Sequence, residues 1–113
     1  MRMATVMGID KAREEIAGLV DTWTGPGISV KFARIAPDGR EHHVPVPGGG
    51  AHFVVDPKDL LNIEDFARGH ECLGGGCAYK VSAWKPDAVT GEVPNKPWIV
   101  FKTPVIPLKE GQT

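Results

Sequence analysis

Ile28-Ser29-Val30-Lys31-Phe32-Ala33-Arg34-Ile35 alternates along its length. Ile28, Val30 and Phe32 fall on one side, and Ser29, Lys31 and Ala33 on the other. That period of two is the mark of a strand with one face buried. Pro37-Asp38-Gly39 follows as a turn, with proline presetting φ and glycine free to take φ > 0. Residues 40–46, Arg-Glu-His-His-Val-Pro-Val, then read as the return strand. Pro45 cannot donate to a ladder, which assigns this strand to a sheet edge. Pro47-Gly48-Gly49-Gly50 reads as a flexible connection, and residues 51–55 as a third strand.

On the N-terminal side, a helix is expected from about Lys11 to Trp23, capped by Asp10. Glu14 and Glu15 suit the positive end of its dipole. Ala12, Ile16, Leu19, Val20 and Trp23 recur at three- and four-residue spacing and form one apolar stripe. Thr24-Gly25-Pro26-Gly27 stops the helix. Residues 1–8 read either as a frayed end or as an edge strand.

On the C-terminal side, Asp56-Pro57 pairs a cap with a proline at the first helical position. Leu60, Leu61, Ile63 and Phe66 supply a short apolar face up to Gly69. Residues 78–84 form a fourth strand, residues 87–97 a polar turn region, and residues 98–103 a fifth strand. Pro104-Val105-Ile106-Pro107 is extended, and residues 108–113 are read as loose. Glycine and proline number 14 and 10, and Val plus Ile reach 19 against 5 Leu, a composition of short strands and many turns. The expected fold is α+β: a small antiparallel sheet of about five strands packed against one N-terminal helix, with a short second helix, all in one domain over residues 1–113.

Several classes drop out on composition. No 18-residue apolar run is present, so no spanning helix is expected. No heptad pattern and no internal repeat persist. The formal net charge is −1, which argues against a strongly basic nucleic-acid-binding domain. The start lacks a sustained apolar stretch, because Asp10 and Lys11 interrupt it, and two cysteines are too few for a secreted disulfide scaffold. A cytoplasmic protein is the expectation.

The residues with chemical potential are few. Gly69-His70-Glu71-Cys72-Leu73-Gly74-Gly75-Gly76-Cys77 gathers His70, Cys72 and Cys77, zinc-type donors, on a glycine-rich loop. A fourth ligand would come from His42, His43 or His52. Four residues between the cysteines is at the edge of zinc-site spacing. The competing readings are two free thiols, which is favoured, and a Cys72–Cys77 disulfide closing a very short loop. A Cys72/His70 nucleophile has no recognised signature around it. Neither glycine-rich stretch matches a phosphate loop. His42 and His43 point to opposite faces of their strand and read as solvated polar residues.

Tyr79, Lys80, Trp84, Lys85, Lys96, Trp98, Phe101 and Lys102 interleave aromatic and basic side chains. Trp84 and Trp98 stand at the loop-proximal ends of strands four and five, and a hairpin would bring them together beside Lys85 and Lys96. Such a patch is apolar in its middle and charged at its rim, as protein interfaces are. The expected function is therefore a small non-catalytic binding module, an adaptor, assembly component or inhibitor, acting on a larger protein through Trp84, Lys85, Lys96 and Trp98. Nucleic acid and membrane partners are disfavoured, self-association is left open, and no cofactor is required. The alternative is a metal-binding protein or small metal-dependent enzyme that holds zinc with His70, Cys72 and Cys77.

Overall fold

The computed structural model describes residues 6–46, 52–70 and 72–108. The chain start to residue 5, the expected connection at 47–50 with residue 51, Glu71, and the tail from 109 lie outside those residues. The fold is α+β. Strand β1 (Val6–Met7) leads into helix α1 (Ile9–Val20), followed by β2 (Ile28–Ile35), β3 (Glu41–His43) and β4 (Phe53–Val55). Helices α2 (Pro57–Leu61) and α3 (Ile63–Gly69) precede β5 (Ala78–Trp84) and β6 (Ile99–Lys102). The sheet order is β1-β6-β5-β2-β3, with β4 also on β2. Every pairing is antiparallel except β1 with β6, and Val6–Met7 form an edge strand of the sheet.

Strand β2 organises the rest. One of its edges pairs with β5 from Ser29↔Trp84 to Ile35↔Ala78. The other edge is shared: β4 takes residues 28–30 and β3 takes residues 33–35. The return strand is shorter than expected. The Val44 amide still donates to the Phe32 carbonyl at 3.0 Å, but Pro45 has no amide to continue the ladder. The turn before it forms as expected, with Gly39 at φ 87° and its amide donating to the Ala36 carbonyl.

Helix α1 starts two residues before the expected position and ends three residues before it. Gly8, extended at φ −73° and ψ 164°, is its N-cap rather than Asp10, because pairing of β1 with β6 delivers the chain directly into the helix. Asp10 lies inside the first turn, where its charge favours the dipole. Ala12 and Ile16 are fully buried, while Leu19, Val20 and Trp23 pack partly exposed at the rim of the core. Trp23 lies beyond the helix but stays attached to it, its amide donating to the Leu19 carbonyl at 2.8 Å.

The expected second helix is two short ones. Asn62, at φ −106° and ψ 46°, breaks α2 from α3. At Asp56 a capping box forms: Asp56 and Asp59 each cap the other's backbone amide, with proline at the first position. All three helices lie on one side of the sheet. Against them pack Ile28, Val30 and Phe32 of β2, Tyr79, Val81 and Ala83 of β5, and Ile99 and Phe101 of β6. Phe32 is the hub, edge-on to Phe53 and Tyr79 and stacked at 5.7 Å on Phe66.

Candidate functional site

Helices cover one side of the sheet, and no described helix covers the other. Strand alternation and register set out that open side row by row. Val54, Ser29 and Trp84 form one row across β4, β2 and β5. Lys31, Ser82 and Val100 form the next. His43, Ala33, Lys80 and Lys102 form the third. Small side chains, Ser29, Ala33, Ser82 and Ala78, floor the face between the long ones. Glu41 is the one carboxylate among these described rows, at the Ile35 end, and it forms an ion pair with Lys80.

Lys80 and Lys102 stand directly opposite each other across β5 and β6. Like charges in register oppose pairing, so this arrangement works against the stability of the sheet. Among the described residues neither Lys31 nor Lys102 has a carboxylate partner. Trp84 lies at the end of the face. Lys31 Nζ sits 5.6 Å from its ring centre, and the His52 ring meets it edge-on at 5.2 Å. Burial, reinforced by the Lys31 charge and by His43, holds the His52 pKa below its ordinary value and so favours the neutral ring. Its Nδ1 is buried without a hydrogen-bond partner among the described residues.

The four residues expected to form one patch divide between two surfaces. Trp84 belongs to the open face. The Trp98 amide donates to the Ala83 carbonyl at 2.7 Å, one residue out of the Ala83↔Ile99 register, and the ring packs at the rim of the core. Lys85 joins it there: its Nζ lies 5.6 Å from the Trp98 ring and 6.0 Å from the ring of Trp23. Lys96 is exposed on the intervening loop, which reaches back so that its Asn95 carbonyl accepts from Trp84 Nε1 at 3.4 Å. Asp87 orders this loop by accepting from the Val89 and Thr90 amides at 2.8 Å each. Those bonds hold its carboxyl below the usual carboxylate range. Trp23 was missed at the sequence level as a surface residue because its spacing places it on the helix stripe.

Residues 72–77 form a braced turn. Gly74, Gly75 and Gly76 all take positive φ, at 77°, 88° and 86°, a run that other residues adopt only with strain. A Cβ on Gly75 would collide with the Pro107 carbonyl oxygen. The Gly76 amide donates to the Ile106 carbonyl, and the Ile106 amide to the Cys77 carbonyl, tying the loop to the C-terminal segment. Arg34 donates to the carbonyls of Cys72 and Leu73. The buried Tyr79 hydroxyl donates to the Leu73 carbonyl at 2.8 Å; burial first, and the Cys77 thiol next, push its pKa up. Cys72 and Cys77 are both free and partly exposed. His70 stacks on Phe66 at 4.0 Å, with Nδ1 2.7 Å from the Phe66 carbonyl. Among the described residues no three His, Cys, Asp or Glu side chains come together as metal ligands.

No helix among the described residues is long and apolar enough to cross a membrane. No family model, curated protein or solved structure matches the chain.

Proposed function

We propose that this chain is a small non-catalytic binding module of the cytoplasm that acts on a larger protein. Its contact surface for that protein is the end of the sheet where Trp98, Lys85 and Trp23 meet the 85–97 loop. The observation that carries this reading is the Lys85 ammonium lying within cation–π reach of both indole rings. Two tryptophans at the rim of the core offer large, rigid anchors, and the adjacent loop exposes Val93 and, at 94%, Val89. Lys85, Asp87, Glu92 and Lys96 supply a charged border of mixed sign around that apolar middle.

Affinity capture from the native host identifies the partner, and calorimetry on the purified pair then tests the surface. Lys85→Glu and Val89→Asp, both outside the core, are expected to weaken binding at least about tenfold without lowering the melting temperature. Unchanged affinity in both variants contradicts the reading.

A further inference from the structure

We infer that the open face of the sheet is a second, separate binding site, and that its occupant is a single-stranded nucleic acid. The chain as a whole carries a net charge of −1, yet among the described residues this face holds Lys31, Lys80 and Lys102 against the single carboxylate of Glu41. The charge is thus sorted by face. Lys80 is paired with Glu41, while Lys102, opposite it in register, and Lys31 have no carboxylate partner among the described residues, so both remain open to an anion.

The composition of the face selects the class of anion. Centres of protein–protein interfaces are poor in lysine, whereas nucleic-acid interfaces are strongly cationic. Ser29, Ala33 and Ser82 form a low floor between the lysines, so a thin chain can approach the backbone closely. Trp84 stands one row from Lys31 and provides an aromatic ring for a base to stack on, the pairing of platform and cationic track that single strands require. Lys31 now lies over that ring, a weak contact at a partly exposed site, so its flexible arm transfers readily to a phosphate. A duplex is disfavoured, because its grooves are read by a projecting helix or ribbon and this surface is a broad face.

The test is fluorescence anisotropy of the full chain with a labelled short oligothymidylate at low salt. Saturable binding is expected, with log affinity falling against log salt at a slope of about −2 for three lysine contacts on a single strand. Lys31→Gln and Lys102→Gln should each weaken binding severalfold and reduce that slope by about 0.7. Trp84→Leu should weaken binding without changing the slope. Lys58→Gln, on the helix side, should change neither. Absence of binding, binding insensitive to both lysine variants, or equal binding of a duplex of the same length overturns the inference. So does binding of a polyglutamate peptide in place of the oligonucleotide, which would assign the face to an acidic protein segment. Lys85→Glu is expected to keep most oligonucleotide binding, so failure here and failure of the protein-docking surface are read separately.

Discussion

The two faces of β2 and β5 are built from the same strands and answer to different demands. On the helix side, Phe32, Tyr79, Val81 and Ala83 are closed off from water and interlock with α1, α2 and α3. On the open side, Lys31, Lys80, Ser82 and Trp84 stay partly accessible, and two lysines face each other. The first face is arranged for stability. The second gives up stability through Lys102 set opposite Lys80 and through a buried His52 nitrogen that has no hydrogen-bond partner among the described residues. That contrast is what motivates the proposal of binding at the open side.

Substitution of neighbours on β2 sharpens the contrast most. Phe32→Ala removes the hub ring and is expected to cost about 3–5 kcal/mol in urea unfolding. Lys31→Ala, one residue away, should stay within about 0.5 kcal/mol. Equal losses at both positions would erase the distinction between the faces. Gly75→Ala comes next, at about 1–3 kcal/mol, since it forces a side chain into positive φ against Pro107. A neutral result there would show that the 70–77 loop does not brace the core. Lys102→Ala should have a smaller effect of opposite sign, raising stability by about 0.2–1 kcal/mol as the opposition to Lys80 is relieved. A loss on that substitution would mean that the open face is also arranged for folding.

The smallest effect is a pH dependence. His52 has its pKa lowered in the native state, so the unfolded chain binds the proton more readily. The stability associated with the neutral ring is complete above the ordinary value of 6.5 and declines as pH falls below it. Melting temperatures measured from neutral to mildly acidic pH should drop across that window. His52→Gln should flatten the decline, and an unchanged profile would contradict the buried, cation-flanked environment.

What was legible in the sequence follows the same division. The alternation in residues 28–35 and 78–84 marks the two central strands with their observed bounds, because burial of one face writes a period of two directly into the chain. Asp56-Pro57 identifies its helix start, since capping is local chemistry. The start of α1 was not legible: it depends on β1 pairing with a strand more than ninety residues away. The open-face cluster was hidden for the same reason. Lys31, Lys80 and Lys102 are far apart in sequence, and only the β2–β5–β6 register brings them together. Whole-chain charge conceals them because, among the described residues, Glu41 is the one carboxylate on that face. The spacing predicts Trp84 and Trp98 side by side, whereas the offset at Ala83 sets Trp98 at the rim of the core.

The central proposal is that the open face binds a single strand, separately from the surface formed by Trp23, Lys85 and Trp98. The most direct test is a two-dimensional amide NMR titration of the intact chain with unlabelled oligothymidylate. The account predicts shifts at the Trp84 indole N–H and at amides around Lys31, Lys80, Ser82 and Lys102, with α1, α2 and α3 unmoved. Shifts confined to the helices, or a spectrum that does not change at low salt, would contradict it.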